Sequence, residues 1–287
     1  MSPDECQILI SMVVATIGRS TELNLLFRSV VNQNCSDIEI IVVDQNGDDR
    51  LEPVLAEHRG KLRLVHLRTL QQGVCRARNL GASRATGDWL LFPDDDCWYP
   101  KDFLQRLRTR LAWDDADFVA GRAADESGRD IMGAFERRPA RIVARNVWTT
   151  MIEWVFCVRR RAFEKAGGFD ERIGPGAGTR WGAYEVQDLA LSLLETGARG
   201  AYDPALYGHH PEDSGDRTTD ANIAKIRTYS GGLGYIVRKH RYSPAFFVTK
   251  LLRPVAGMVV YSLLGRPRMA YRSSQILAGR WDGWRKR

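Results

Sequence analysis

The first ninety or so residues of the chain alternate between short apolar runs and amphipathic segments. The apolar runs are rich in β-branched residues and predict buried strands over residues 8–15, 38–43, 62–67 and 88–92. The segments between them predict helices over residues 23–31, 53–58 and 73–85. Continuous apolar strands that alternate with helices are typical of a parallel sheet covered on both faces.

Polar turns follow three of these four predicted strands. They comprise residues 16–19 (TIGR), 44–47 (DQNG) and 94–96 (DDD). In open α/β sheets, ligands bind beyond the carboxyl ends of the strands. We therefore expect the three turns to lie along one edge of the sheet and to face one crevice.

The second half of the chain is less regular. Its pattern predicts strands over residues 117–121 and 155–158 and helices over 160–166 and 184–196. Residues 174–182 (GPGAGTRWG) contain four glycines and predict a mobile loop. From residue 244 onward the chain is expected to be helical, apolar and basic.

Charge divides the chain unevenly. The formal net charge is +7, but residues 236–287 contain twelve Lys and Arg and one acidic residue, whereas residues 1–235 contain 30 basic and 34 acidic residues. We therefore divide the chain into an α/β domain, 1–235, and a basic amphipathic helical extension, 236–287. The basic extension indicates an anionic partner for that segment alone.

Composition excludes several classes of protein. Apolar residues make up 44% and charged residues 27% of the 287 residues, which argues against a mostly disordered chain. The five cysteines show no metal-type spacing and favour a reducing compartment. No apolar run reaches the length of a membrane span, Pro254 interrupts the apolar segment 245–265, and the polar N-terminus does not resemble a secretory signal.

Three consecutive acids, Asp94, Asp95 and Asp96, are the first candidate for chemistry. Such a triplet can be a solvated turn. At a strand end, however, neighbouring carboxylates repel one another unless a cation or a proton neutralises them. A divalent cation shared with substrate phosphates is a common solution, and it would neutralise a departing diphosphate.

Other candidates carry a structural alternative beside the functional one. Asp44 either closes an Asx turn with the following Asn-Gly or accepts hydrogen bonds from a nucleobase or ribose. Arg76 and Asn79 share a helical face, with Arg78 turned away, and either lie at the surface or face a diphosphate.

A second acidic pair lies later in the chain. Glu185 and Asp188 project from one face of a predicted helix directly after the glycine-rich loop, either as a solvated face or as a general base beneath a closing lid. Three histidines, His209, His210 and His240, are further titratable candidates, but their spacing does not indicate a metal site.

Four segments in order resemble glycosyltransferase family 2. They are VVATIGR with VVDQNG, GVCRARNLGASRATGDWLLFPDDDCWYP, the segment from ARIVARN to GGFDERIG, and WGAYEVQDLALSLLETG. The resemblance covers residues 8–200, and more loosely GGLGYIVRKHRY, which is similar to bacterial surface-polysaccharide transferases. It implies the GT-A fold, with a mainly parallel central sheet, and inverting transfer of a sugar from a nucleotide-sugar to an acceptor hydroxyl.

The resemblance also implies roles for individual residues. Asp96 and Asp94 correspond to a DxD motif that holds Mn2+ or Mg2+, with Asp94 nearer the ribose. The donor-binding residues it implies are Thr16, Arg19, Asp44, Arg76, Asn79, Asp94 and Asp95. The catalytic candidates are Glu185 and Asp188.

One departure from the family pattern concerns the base. Family members usually have two adjacent acids, as Gly-Glu-Asp or Gly-Glu-Glu, where this chain has Tyr184-Glu185-Val186. The second acid, often the base, is Val186 here. Either Glu185 or Asp188 then serves as base, with Glu185 favoured, or transfer is impaired.

Rival functions and partners follow from the same features. A sugar nucleotidyltransferase would need a glycine-rich basic loop after the first strand, which ATIGRS does not provide. A non-catalytic relic that binds nucleotide-sugar or membrane is the other alternative. We expect a glycan or lipid-linked acceptor, no nucleic-acid partner, and a cytoplasmic protein that binds the cytoplasmic face of an anionic membrane through residues 244–287. In the opposing alternative, these helices pack on the body.

Overall fold

A computed structural model describes residues 9–113, 115–212 and 215–285. The polar segment before residue 8, with Cys6, and the last two basic residues lie outside the described residues. The four described cysteines are free thiols. The described residues fall into two compact units: one within 1–72, 76–169 and 189–212, and the other within 73–75, 170–188 and 213–287.

The first unit contains an eight-stranded mixed sheet with the order β3-β2-β1-β4-β7-β5-β8-β6. Four pairings are parallel (β1 with β2, β1 with β4, β2 with β3, β5 with β8) and three are antiparallel. The strands are β1 (Ile10–Thr16), β2 (Ile38–Asp44), β3 (Arg63–Arg68), β4 (Trp89–Leu91), β5 (Phe118–Ala123), β6 (Ala140–Ile142), β7 (Phe156–Arg159) and β8 (Gly200–Gly208).

Ten helices are present among the described residues. They are α1 (Leu23–Val31), α2 (Glu52–His58), α3 (Val74–Ala82), α4 (Phe103–Trp113), α5 (Val147–Thr150), α6 (Arg160–Lys165), α7 (Glu185–Glu195), α8 (Asp220–Lys239), α9 (Pro244–Leu263) and α10 (Pro267–Arg285), with a 3-10 turn at Glu153–Val155. Helix α1 packs on the sheet through its apolar stripe, and the residues of the stripe are therefore buried: Leu23, Leu26, Phe27 and Val30.

Parallel register brings the predicted strand ends together. Thr16 at the end of β1 pairs with Asp44 at the end of β2, and Ala15 forms a bridge with Asp94 just beyond β4. The expectation that the three polar turns share one edge of the sheet is therefore confirmed. This edge belongs to the first unit.

Glycines bring two helices of the second unit into close contact. A Cβ on Gly234 of α8 would lie 2.0 Å from the carbonyl oxygen of Arg280 in α10, and one on Gly283 would lie 2.1 Å from that of Gly231. Only glycine permits such backbone approach. The GGLGY segment is thus a helix-packing motif in α8, and the predicted boundary after residue 235 falls inside this helix.

The structure corrects one expectation about the apolar C-terminal segment. Helix α9 is continuous for 20 residues, with Pro254 inside it, and it is long and apolar enough to cross a membrane by length and composition alone. Most of it is exposed. The expectation that Pro254 interrupts the segment and that no stretch has the length and apolar composition of a membrane span is therefore wrong.

Candidate active site

The acidic turn after β4 is held by the turn after β1. Thr16 Oγ1 donates a hydrogen bond of 2.7 Å to Asp95 Oδ2, and Arg19 Nη1 forms a short ion pair with the other oxygen of Asp95. Burial raises the pKa of the Asp95 carboxyl, and the hydrogen bond from Thr16 and the charge of Arg19 oppose that effect. Thr16, Arg19 and Asp95, all predicted as donor-binding residues, form one polar cluster.

Asp96 lies between a cation and a histidine. Arg19 Nη1 is 2.9 Å from Asp96 Oδ2, and His210 Nε2 is 3.0 Å from Asp96 Oδ1. Burial alone would raise the pKa of Asp96, but His210 and Arg19 more than offset it, and the pKa is lowered. Asp96 is therefore ionised at neutral pH.

Sheet pairing delivers His210 to this turn. His209 and Trp98 exchange two backbone hydrogen bonds of 2.8 and 3.1 Å, which joins the end of β8 to the chain just after the acidic turn. The ring of His210 stacks on Trp154 with centroids 4.8 Å apart, and its Nδ1 bonds to the Pro211 carbonyl at 2.8 Å. Nε2 is thereby directed at Asp96.

Asp94, Asp96 and His210 can together hold a metal ion. One ligand atom from each lies within 4.8 Å of the others. Asp96 Oδ1 is buried and makes no hydrogen bond of good geometry to any described residue. Because Nδ1 of His210 donates to the Pro211 carbonyl, it carries a hydrogen. Nε2 faces Asp96 Oδ1 with an N–H when the ring is protonated and with a lone pair when the ring is neutral. Two carboxylates and an imidazole fit Mn2+ well and Mg2+ acceptably.

The arginine nearest the acidic turn is not the one predicted. Arg78 Nη2 lies 2.7 Å from Asp94 Oδ1, the side chain is 2% exposed, and its guanidinium lies 5.5 Å from the ring centre of Phe169. The prediction that Arg78 turns away is wrong. The spacing of residues defines their relative faces on a helix, but it does not tell which face meets the sheet.

Asn79 and Arg76 contact backbone atoms. The Asn79 amide donates to the Phe169 carbonyl and accepts from the Phe169 N–H, both at 2.9 Å. Arg76 Nη1 donates to the Gln72 carbonyl at 2.7 Å. The Asn79 bonds anchor α3 to the chain after α6, whereas the Arg76 bond stays at the start of α3. The donor-lining roles of both residues stay predictions.

Asp44 forms the Asx turn that was its structural alternative. Its Oδ1 accepts bonds of 2.8 Å from both the backbone and the side-chain amide of Asn46, while Oδ2 lies 3.0 Å from His66 Nε2. The residue is 1% exposed. A carboxylate has about four acceptor positions, so one remains at Oδ2 for a ligand.

The second unit contains the other pair of candidate carboxylates. Glu185 begins α7, and Asp188 follows one turn later; both are buried. Asp188 Oδ2 accepts from Lys239 Nζ, and Oδ1 bonds to His240 Nε2, each at 2.7 Å. Both oxygens of Asp188 are thus engaged by residues at the end of α8.

Two residues beside Glu185, Tyr184 and Gly174, have positive φ angles. Tyr184, which stands where the family usually has glycine, has a φ of +78°. Gly174 has a φ of +93°, and a Cβ there would lie 2.8 Å from Val74 Cγ1 and 3.4 Å from Glu185 Cδ. Strain of this kind is concentrated at functional sites. Val186, which replaces the second acid, is fully buried.

The glycine-rich loop is tied at both ends within the second unit. Gly174 N–H donates to the Trp181 carbonyl at 2.7 Å, and Gly182 N–H donates to the Thr228 carbonyl at 3.0 Å. The Trp181 ring stacks on Tyr235 with centroids 5.2 Å apart. Residues 178–180 of the loop are exposed, and Thr179 Oγ1 donates to the Arg172 carbonyl at 2.6 Å and accepts from the Trp181 N–H at 3.1 Å.

Sequence reasoning missed two residues that the structure places at these sites, His66 and Lys239. It named His210 only as one of three titratable histidines, and it placed Arg78 on the wrong face of its helix. A strand assignment for 200–208 would have placed His210 at a strand end, where ligands bind. His66, by contrast, gave no signal within an ordinary strand pattern. His209 bonds to the Ala124 carbonyl at 2.9 Å and His240 to Asp188, and neither belongs to the group of potential metal ligands formed by Asp94, Asp96 and His210.

Curated proteins similar to this chain are named as glycosyltransferases. An uncharacterized glycosyltransferase of Haemophilus influenzae is 35% identical over 95 residues, which is 32% of this chain and 31% of that protein. A PGL/p-HBAD biosynthesis glycosyltransferase of Mycobacterium bovis is 33% identical over 103 residues, 34% of this chain and 40% of that protein. The matches span only about a third of the length of these curated relatives.

Two solved structures share the fold. S. aureus TarS 1-349, in complex with UDP-GlcNAc, has a TM-score of 0.61 at 14% identity and covers 92% of this chain and 89% of its own. The mannosyltransferase PcManGT from Pyrobaculum calidifontis, in complex with GDP-Man and Mn2+, has a TM-score of 0.60 at 17% identity, with 94% and 74% covered. They establish the GT-A fold.

The family profile described as "Glycosyl transferase family 2" matches residues 11–179, more than half of the chain. The matched stretch includes the turns after β1 and β2 and the acidic turn, which are the segments that first indicated this family. The chain belongs to glycosyl transferase family 2.

Proposed function

We propose that the protein is an inverting glycosyltransferase that moves a sugar from a nucleotide-sugar donor to an acceptor hydroxyl. The observation that carries the proposal is the group formed by Asp94, Asp96 and His210 at the carboxyl edge of the sheet, where α/β proteins bind ligands. The similar solved structures contain UDP-GlcNAc or GDP-Man, which supports a nucleotide-sugar donor here.

In this proposal, each polar residue at the carboxyl edge of the sheet has a defined role. Asp94, Asp96 and His210 would hold Mn2+ or Mg2+, and the bound metal would supply positive charge near the leaving nucleoside diphosphate. Arg19 and Thr16 fix Asp95 and Asp96 in place through the bonds described above. Arg78 holds Asp94, and Asp44 offers its remaining acceptor position to the ribose or base.

Glu185 is the proposed general base that takes the proton from the acceptor hydroxyl. Asp188 is less suited to that task because Lys239 and His240 occupy both of its oxygens. A carboxylate already paired with a cation is a weaker proton acceptor. Asp188 instead orients α7, which carries Glu185.

The acceptor is proposed to be a glycan or lipid-linked saccharide at a membrane. Helix α9 exposes Val248, Leu252, Val255, Val259, Val260 and Leu263, and the following residue, Leu264, is exposed as well. Apolar residues of this kind, flanked by the basic residues of 236–287, suit the boundary of an anionic bilayer. We place the protein on the cytoplasmic face of that membrane.

The experiment uses a panel of nucleotide-sugars with Mn2+ or Mg2+ and measures released nucleoside diphosphate. The proposal expects release from one donor, loss of release in Asp96→Asn, and retention in Asp102→Asn, a matched change at an exposed carboxylate outside the cluster. NMR of the transferred product then reports the anomeric configuration. Retained configuration would exclude direct displacement, and absence of both turnover and nucleoside diphosphate binding would favour a non-catalytic relic.

A further inference from the structure

An open pocket of about 530 Å3 lies within the second unit, around the turn that joins α8 to α9. Four cationic side chains line it: Arg172, Arg238, Lys239 and Arg241. None of these residues belongs to the cluster around the acidic turn. The pocket shares Lys239 with the surroundings of Asp188 but has no lining residue in common with the acidic turn.

The pocket has more positive than negative charge. Arg172 pairs with Asp170 at 2.8 Å, and Lys239 lies 3.0 Å from Asp170 and 2.7 Å from Asp188. Among the described residues, neither Arg238 nor Arg241 has a carboxylate partner. Two carboxylates thus face four cations, and the surplus of two positive charges matches a doubly charged anion.

The remaining wall is aromatic and leads to the apolar helix. Arg238 lies over the Trp284 ring at 5.4 Å, and Trp284 stacks on Phe247 of α9 with centroids 4.4 Å apart. Pro244, the first residue of α9, also lines the pocket. A molecule with an anionic head and an apolar tail would place its head among the cations and its tail along α9.

We propose that this pocket binds the phosphate group of a lipid-linked acceptor. The inference rests on the proposed glycosyltransfer and deepens it by naming the chemistry of the acceptor. Guanidinium groups bind phosphate through paired hydrogen bonds, and two arginines here have no carboxylate partner among the residues that the structure describes. Lys239 contacts both the pocket and Asp188, so an occupied pocket lies one side chain from the helix that begins with Glu185.

The test measures flotation of the full chain with three kinds of phosphatidylcholine vesicle. One contains phosphatidylcholine alone, one adds a long-chain polyprenyl phosphate, and one adds phosphatidylserine to the same surface charge. We expect binding to the polyprenyl phosphate vesicles to exceed binding to the charge-matched vesicles about tenfold. Inorganic phosphate, added as a soluble competitor, is expected to displace the protein only weakly, because it lacks the tail.

Paired variants locate the effect. The double variant Arg238→Gln/Arg241→Gln is expected to lose the preference, because it removes both arginines that lack a described carboxylate partner. The control Arg137→Gln/Arg138→Gln removes the same charge from exposed positions outside both the pocket and residues 236–287, and it is expected to keep the preference. Arg238→Lys/Arg241→Lys keeps the charge and is expected to restore part of the preference.

Three results would overturn the proposal. They are equal binding of the wild type to the two charged vesicles, equal losses in the pocket and control variants, and strong displacement of the wild type from the polyprenyl phosphate vesicles by inorganic phosphate. The last would assign the pocket to free phosphate. Because flotation needs no turnover, a failure here is distinct from a failure of donor hydrolysis, which would instead contradict the proposed function.

Discussion

Lys239 Nζ lies 2.7 Å from Asp188 Oδ2, and this ion pair joins the last turn of α8 to the first turn of α7 within the second unit. Burial by itself would lower the pKa of Lys239, but Asp188 and Asp170 more than offset it, and the pKa is raised. Lys239 is therefore charged at neutral pH. The pair distinguishes Asp188 from Glu185, the other buried acidic residue of α7, so substitutions of the two should have different effects.

Replacing the two carboxylates one at a time should separate catalysis from stability. Glu185→Gln is expected to lower acceptor-dependent turnover about a hundredfold or more, because it removes the proposed base. Asp188→Asn is expected to cost about 1–3 kcal/mol of unfolding free energy, because it weakens two buried charge-assisted bonds. Turnover and urea unfolding of both variants, with Glu195→Gln at the far end of α7 as control, provide the measurement. Full turnover in Glu185→Gln would transfer the base assignment to Asp188.

Two glycines in the same loop form a matched pair. Gly174 and Gly178 both have positive φ, at +93° and +71°, but only at Gly174 would an added Cβ have neighbours within 4 Å, namely Val74, Cys75 and Glu185. Gly178→Ala is expected to cost about 1–2 kcal/mol from backbone strain alone. Gly174→Ala is expected to cost more and to reduce turnover as well, since it displaces Glu185 or Val74. Similar turnover in the two variants would contradict this view of Gly174.

Buried His58 should make the stability of the protein depend on pH. Its Nε2 bonds to Asn24 Oδ1 at 2.9 Å, while its buried Nδ1 has no hydrogen-bond partner among the described residues. Burial lowers the pKa of His58, and nearby Glu57 opposes this only in part. The unfolded chain therefore binds a proton more readily, and stability is lost as the pH falls through about 6.5, the ordinary pKa of histidine.

Urea unfolding between mildly alkaline and mildly acidic pH measures this effect. The chain contains four other histidines, so the informative quantity is the difference between the wild type and His58→Gln, which keeps an amide at this position. The variant is expected to show a shallower loss of stability on acidification. An equal slope in the two proteins would show that His58 does not carry the dependence.

His210 should set the metal requirement. His210→Gln is expected to raise the Mn2+ concentration needed for half-maximal donor hydrolysis about tenfold or more, because it removes the nitrogen that faces Asp96. The matched change His66→Gln alters the histidine beside Asp44 and should leave the Mn2+ requirement unchanged. An unchanged requirement in His210→Gln would exclude this residue as a ligand.

The regular elements up to β4 were predicted from the sequence, whereas several later ones were missed. Helix α4 was not predicted, although its buried Phe103, Leu107 and Leu111 recur at helical spacing. Helix α1 has the predicted bounds because its apolar residues recur at helical spacing. Helix α8 was missed because glycines, rather than large apolar residues, form much of its buried face. Strand β8 (GAYDPALYG) contains glycine, aspartate and proline, which normally indicate a loop.

The acidic turn was predictable, whereas its partners from distant segments were not. A strand-end position and three adjacent carboxylates identify Asp94–Asp96 directly from the sequence. The contact of Asp96 with His210 depends on the bridge between Trp98 and His209, which joins segments far apart in the chain. Pairing of this kind is fixed by tertiary structure, so no local pattern reveals it.

Release of nucleoside diphosphate, measured against Mn2+ concentration, tests directly whether sugar transfer requires a metal at the acidic turn. The measurement compares the wild type, Asp96→Asn and Asp102→Asn with the donor that the panel identifies. Release of nucleoside diphosphate is expected to depend on Mn2+, to fall about a hundredfold or more in Asp96→Asn, and to persist in Asp102→Asn. Release that continues undiminished in Asp96→Asn or after removal of divalent metal would contradict it.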